Sequence, residues 1–341
     1  MAHTIRLDGS TDLHKMLSRS FQSGHINFLI GSGASFPAIA TASAVEQDIA
    51  TLFEAGQDEE AKRRMYEFLM SVQTPCNKLI SDVGDPKNTI TLQKYTEYLQ
   101  TIEVLLSERR TTLLPRQATL FTTNYDLFIE KASIKFPALT LNDGFTRGPS
   151  LDGRMKYSSR NFFNKTYNIG NLYNYKVEIP CINLIKLHGS LSWQRNNGDF
   201  VFQVSARAPL PPNAAIDNIT TFIDGYSVIL PHSSKFRATL MERTYYDLLR
   251  IFANELDREN ALLVAFGFSF GDEHIRDIVG RALKNPTLRL ITFAFSDADV
   301  TRLAELFEGD SNVDIIAPEP GKFIDFDAFN ATLRDVLPVF A

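Results

Sequence analysis

Five short stretches of the chain are apolar at almost every position and not merely at every second one: INFLIG (26–31), ATLFTT (118–123), INLIKLHG (182–189), LLVAFGF (262–268) and LRLITFAF (288–295). A strand with one face in water alternates, whereas a strand covered on both faces does not, so these runs predict buried parallel strands. Stretches with helical spacing lie between them, for example FEAGQDEEAKRRMYEFLMSV from Phe53 and RTYYDLLRIFANELDREN from Arg243, and FIDFDAFNATLRDVLPVF reads as a last helix. Strand and helix in alternation predict an α/β fold with a doubly wound parallel sheet. In such a sheet ligands bind outside the carboxyl ends of the strands, and candidate chemistry is sought there.

Two intervals break the alternation. Residues 42–115 are too long for one crossover and mostly helix-like, which predicts a helical insertion beside the sheet. Residues 142–176 are rich in Gly, Asn and aromatics and predict an irregular loop or arm. Prolines in RAPLPPNAAIDN (207–218) mark a further loop. There is no internal repeat and no low-complexity tail, so the expected organisation is a single domain over 1–341 carrying both insertions.

Composition narrows the function classes. A chain of 341 residues with 44% hydrophobic composition can bury a large core without disulfides or a structural metal. The 35 Lys and Arg against 40 Asp and Glu argue against bulk electrostatic capture of nucleic acid or anionic membrane. The opening MAHTIRLDGSTDLHKMLSRSF lacks the apolar run of a signal peptide, and no window approaches the roughly 18 apolar residues of a spanning helix, so a soluble, cytoplasmic protein is expected. Cys76 and Cys181 are too far apart to form a CxxC zinc ribbon; each is expected to be a buried small hydrophobe.

Four strand ends carry polar or glycine-rich residues. In FLIGSGASFP (28–37), Gly31, Ser32, Gly33, Ala34 and Ser35 let the backbone turn sharply and bring amides close to a ligand. No Gly-Lys-Ser/Thr follows, and the third glycine of a dinucleotide fingerprint is missing, with Glu46 and Asp48 lying in a helical pattern; a tight strand-to-helix turn is the alternative. In LFTTNYDLF (120–128), Thr122, Thr123, Asn124 and Asp126 cluster at a strand end, where a helix cap explains one polar residue but not four. LIKLHGSLSW (184–193) places His188 before Gly189, Ser190, Ser192 and the sole Trp193; the imidazole is either a structural residue or a base working near neutral pH. LLVAFGFSFGDEHIRDIV (262–279) ends a strand in Gly267, Ser269 and Gly271, with Asp272 or Glu273 opening a helix, as an acidic cap also would. Parallel strand ends converge in space, so the four describe one cleft with room for a dinucleotide.

The order GSGAS, TTNYD, KLHGS, GFS resembles the sirtuin family and, more closely, the sirtuin-like domains of prokaryotic antiviral-defence proteins. There the motifs are a GAG-x-S loop, TQN-x-D, an HG pair and a G-[TS]-S segment on a Rossmann-like sheet around NAD. The resemblance spans about 24–300 and implies positions in this chain. Gly31, Ser32, Gly33, Ala34 and Ser35 would cradle the pyrophosphate and nearby ribose. Asn124 would hold the nicotinamide ribose and a reactive water, with Thr123 beside it and Asp126 near the carboxamide. His188 would be catalytic, and Gly267 and Ser269 would line the adenosine side. Thr123 stands where protein deacylases have glutamine, and the deacylases' zinc cysteines are absent, so no zinc is expected. Defence-type relatives that share this loss resemble NAD hydrolases.

The resemblance therefore implies NAD as substrate, cleaved to nicotinamide and ADP-ribose by Asn124 and His188 in an antiviral effector that depletes NAD. Rival readings are a module that binds NAD or ADP-ribose without cleaving it, and a protein deacylase or ADP-ribosyltransferase. No sensor segment is evident, so the resemblance also implies homo-oligomerisation and a trigger from a partner, a HerA-type hexameric ATPase or another sensor. In the arm, Tyr157, Phe162, Phe163, Tyr167, Tyr173 and Tyr175 interleave with Lys156, Arg160, Lys165 and Lys176. That composition can stack bases and contact phosphates, but packing on the protein's own core or on a neighbouring subunit is favoured over nucleic acid. The choice between NAD and NADP stays open.

Overall fold

The structure is a computed structural model and describes residues 2–7, 11–41, 43–109, 114–148, 151, 153–170, 175–196, 199–230 and 243–337. Small parts of the expected insertion (42 and 110–113), of the arm (149–150, 152 and 171–174, with Tyr173) and of the last helix (338–340) lie outside the described residues.

The first half of the chain runs β1 (His3–Arg6), α1 (Thr11–Ser23), β2 (His25–Ile30), α2 (Ser43–Glu54), α3 (Asp58–Ile80), α4 (Pro86–Ser107), β3 (Gln117–Thr122), α5 (Phe128–Ser133), β4 (Thr140–Asn142), β5 (Met155–Lys156) and β6 (Tyr167–Ile169). The second half runs β7 (Lys176–Glu178), β8 (Cys181–Lys186), β9 (Trp193–Asn196), β10 (Asp199–Phe202), α6 (Ile216–Asp224), α7 (Arg243–Leu256), β11 (Ala261–Phe266), α8 (Glu273–Ala282), β12 (Arg289–Phe293), α9 (Asp297–Leu306), β13 (Val313–Ala317) and α10 (Phe326–Asp335). Eight strands form one sheet in the order β1-β13-β12-β11-β2-β3-β8-β4. Every neighbouring pair is parallel. After β2 the chain first adds β3 and β8 on one side and later returns to add β11, β12 and β13 on the other. The order therefore reverses between β2 and β11, which opens a crevice at their carboxyl ends.

Both faces of the sheet are covered, which is why its strands are apolar without alternation. Along β11, Leu262, Val264 and Phe266 enter one core, while Leu263 and Ala265 enter the other. The first core holds α1, α4 and α10, with Phe266 stacked on Phe329 at 4.3 Å between ring centroids. The second holds α7 and α8, with Phe121 edge-on to Phe252 at 4.7 Å. Each such fully buried side chain contributes about 1.5–3 kcal/mol.

The five expected strands all form, each ending one to three residues before its apolar run does. The other three strands of the sheet had no such run: β1 and β13, which pair at one edge, and the three-residue β4 at the other. The helical interval resolves into α2, α3 and α4, and the pattern read from Phe53 is not one helix. It breaks at 55–57, where Gly56 takes φ +71. The arm is not irregular throughout, because β5 pairs with β10 and β6 with β7. Its Phe145 and Tyr157 pack against Trp193 with centroids 5.8 and 5.5 Å away, whereas Phe163, Tyr167 and Tyr175 are exposed. Among the described residues no helix is long and apolar enough to cross a membrane.

Candidate functional site

A cavity of about 1110 Å³ opens at the carboxyl ends of the central strands. Its wall includes Ser32, Gly33, Ser35, Thr123, Asn124, Asp126, His188, Gly267 and Ser269. Gly31 and Ala34 are buried behind that wall and do not line it.

The turn after β2 is a single tight turn over Ser32–Ser35, held to the segment after β11 by backbone hydrogen bonds. The Gly31 amide donates to the Phe266 carbonyl and the Gly33 amide to the Gly267 carbonyl, each at 3.0 Å. A Cβ on Gly31 would stand 2.3 Å from the Gly267 oxygen, and one on Gly33 would stand 2.9 Å from the Gly267 Cα. Gly267 itself takes φ +63, which side chains rarely adopt. The glycines are thus required by the close approach of two loops. The amides of Gly31, Gly33 and Ala34 are all committed to carbonyls within the chain, the last to Gly31 at 3.1 Å.

The polar cluster after β3 is bound mostly to itself and to that turn. Thr122 is fully buried and donates to the Ile30 carbonyl at 2.7 Å, while its Oγ1 accepts from the Asn124 amide at 3.0 Å. Asn124 Nδ2 donates to the Gly31 carbonyl at 3.0 Å and to Ser35 Oγ at 3.2 Å. A carbonyl only accepts, so the amide orientation is fixed, and Oδ1 is the polar atom Asn124 has left to offer on the cavity wall. Ser35 Oγ donates its one proton to Asp126 Oδ2 at 2.6 Å, so at 3.0 Å it accepts from the Tyr95 hydroxyl. Burial, and then the Asp126 carboxylate, push the Tyr95 hydroxyl well above its ordinary range and keep it a donor. The other Asp126 oxygen accepts from the Phe128 amide at 3.2 Å, and its backbone carbonyl accepts from Lys186. Lys186, 3% exposed, also pairs with Glu130 at 2.7 Å.

His188 is aimed by the turn that follows β8. Its carbonyl accepts from the Ile229 amide at 2.8 Å. Gly189 takes φ +82, and a Cβ there would lie 2.1 Å from the Ser227 oxygen. His188 Nε2 lies 3.0 Å from Asp272 Oδ2. Asp272 Oδ1 accepts from the His274 and Ile275 amides at 3.0 and 3.1 Å, capping α8. Burial would raise this carboxyl, but the His188 hydrogen bond and charge outweigh it and hold Asp272 down at about 2.

The far wall comes from residues 293–326, beyond the Gly267–Ser269 segment, where the sequence reading placed no site residues. Phe295 stacks on Phe323 at 4.9 Å, both more than half exposed. Arg302 donates to the Ser269 carbonyl at 2.5 Å and pairs with Asp299 at 3.2 Å. Lys322, Asp299 and Asp325 also face the cavity, as do Phe68, Val72 and Ile90 from the helical insertion. The structure therefore brings Asn124 and His188, 64 positions apart, to one cavity. Asp272 and Tyr95 are the partners the sequence reading missed. Among the described residues no group of three or more His, Cys, Asp or Glu is placed to hold a metal ion. Cys76 in α3 and Cys181 in β8 are buried in separate elements.

The model of the SIR2-like domain family matches residues 118–316, more than half of the chain. The chain belongs to the SIR2-like domain family. The match begins in β3 and runs to β13, so this SIR2-like domain takes Asn124, His188 and the Gly267–Ser269 segment within its matched span. A crystal structure of a Sir2 homolog in complex with NAD is similar over 98% of this chain and 96% of that one, with 14% identity and a TM-score of 0.46. No curated protein sequence matches the SIR2-like chain.

Proposed function

We propose that this SIR2-like domain takes NAD as substrate and hydrolyses the bond between nicotinamide and ribose. The observation that carries the reading is the meeting of Asn124 and His188 on the wall of one large cavity at the point where the sheet reverses. The cavity volume of about 1110 Å³ lies just above the range of about 300–1,000 Å³ typical of small-molecule sites, which leaves room for a dinucleotide.

The residues suit this reaction. Nicotinamide leaves as a neutral base, so no strong acid is needed, and the transition state gathers positive charge on the ribose. What accelerates the step is a fixed ribose and one positioned water. Asn124 Oδ1 accepts a hydrogen bond from that water or from a ribose hydroxyl and orients it. The water oxygen bonds to the ribose carbon while the bonding pair to nitrogen departs with nicotinamide. His188 accepts the water's proton and passes it to solvent. The ionised Asp272 and the Asp126 side give the cavity negative charge near the developing cation.

On this reading the wider role is NAD depletion by a triggered antiviral effector, with assembly and trigger supplied by further copies of the chain or by a partner. The test is to follow NAD by chromatography with purified protein, alone and with co-purifying proteins. Turnover is expected to fall on the order of 10²- to 10⁴-fold in His188→Ala, the range for loss of a general base, and comparably in Asn124→Ala. Undiminished turnover in both variants rejects the assignment. Tight NAD binding without nicotinamide release in any assembly favours a binding module instead.

A further inference from the structure

We infer that Asp272 is a positioning residue that fixes the tautomer of His188, so that Nδ1 is the nitrogen that takes the proton. The inference rests on the hydrolytic reading above and names the reactive atom within it. Its basis is how the two oxygens of Asp272 are divided. Oδ1 is held by two backbone amides at the start of α8, which fixes the carboxylate to a rigid element. Oδ2 alone is left for the imidazole, and it lies 3.0 Å from Nε2. Both side chains are mostly buried, 13% and 20% exposed, yet both face the cavity. Backbone contacts on each side of His188 hold the turn that carries it, with the Leu187 amide on the Thr122 carbonyl and the His188 carbonyl on the Ile229 amide.

An ionised carboxylate only accepts hydrogen bonds, so the atom facing it must carry hydrogen. The depressed Asp272 carboxyl, held at about 2, is consistent with that ionised form. A neutral imidazole carries one N–H, and with Nε2 protonated the lone pair is on Nδ1. A proton accepted at Nδ1 makes the ring an imidazolium, whose new charge lies directly against Asp272. Without the carboxylate the ring is free to sample both tautomers, and the one with hydrogen on Nδ1 presents no base to the water.

The experiment uses the full chain labelled with ¹⁵N-histidine, the His188 signals being assigned by their loss in His188→Gln. In the wild type, the Nε2–H tautomer is expected. In Asp272→Asn the capping function survives, since Asn also caps helices well, but the side-chain amide can donate to Nε2, and a population with hydrogen on Nδ1 should appear. Asp272→Ser, a second good cap without a carboxylate, should give a mixture. In both, kcat for nicotinamide release should fall on the order of 10²-fold with KM for NAD little changed, the share expected of a misassigned general base. A wild-type ring with hydrogen on Nδ1, or an unchanged tautomer in both variants, overturns the inference. The spectra need no turnover, so a protein that never cleaves NAD refutes the proposed reaction while leaving the tautomer assignment to be decided separately.

Discussion

Ser35 Oγ donates a 2.6 Å hydrogen bond to Asp126 Oδ2, joining two buried side chains that lie 91 positions apart in the chain. Through Ser35 the turn after β2, the polar loop after β3 and Tyr95 of α4 share a single hydroxyl, which donates once and accepts from Tyr95 and Asn124.

Removing that hydroxyl leaves buried donors and an acceptor without their partner. Ser35→Ala is expected to lose about 1–3 kcal/mol of stability, read as a lower denaturant midpoint. It should also cut turnover, since Asn124 loses one of its two anchors. Unchanged stability would show that Ser35 is not the hub of this network.

Gly267→Ala should be poorly tolerated. The left-handed conformation costs about 1–2 kcal/mol for a side-chain-bearing residue, and the new Cβ would stand 2.8 Å from the Ala34 nitrogen. Gly280 in α8 is the contrast, since a Cβ added there would meet nothing within 4 Å. Gly280→Ala should therefore stabilise by about 0.5–1 kcal/mol. Thermal melts of the two variants should move in opposite directions.

Lys186→Met strands Glu130, whose carboxyl burial already raises above its ordinary range against the pull of Lys186. Breaking such a pair costs about 3–5 kcal/mol, and replacing Glu130 by Gln in the same chain should recover most of it. A raised acid contributes stability that is complete below its unfolded value and is lost as pH rises through the folded one. The deficit of Lys186→Met should therefore be smallest in acid and grow toward neutral pH in urea titrations.

Asp272 behaves oppositely. Its folded value of about 2 lies below the ordinary carboxyl value of about 3.9, so its contribution is present above the latter and lost as pH falls through the former. Wild type and Asp272→Asn should differ most near neutral pH and converge between about pH 4 and about pH 2. Parallel denaturation curves across that window would contradict the His188 contact.

Much of the sheet was legible because burial on both faces leaves a local mark. β2, β3, β8, β11 and β12 are continuous apolar runs for that reason. β1 left no mark: HTIR is four residues long and mostly exposed at an edge. β13 hid a buried Asp314 within VDIIA, neutralised by Arg289 at 2.6 Å, a partner on the neighbouring strand. At the site, strand ends could be read from composition, but their partners could not. Asp272 read only as a helix cap, because its approach to His188 joins residues 84 positions apart. Tyr95 lies inside the helical interval 42–115, far from any strand end in sequence, yet its hydroxyl reaches the centre of the polar network. In the arm, the same aromatic composition covers two fates, with Phe145 and Phe162 in the core and Tyr167 and Tyr175 in solvent.

Gly31, Gly33 and Gly267 meet backbone to backbone, with no side chain between the two loops. An enlargement at any one of them displaces the other loop and with it one rim of the cavity. The three positions are thus a single evolutionary character. Relatives that depart from glycine at one should carry a compensating change at another, a covariation that a family alignment would reveal without any ligand in hand.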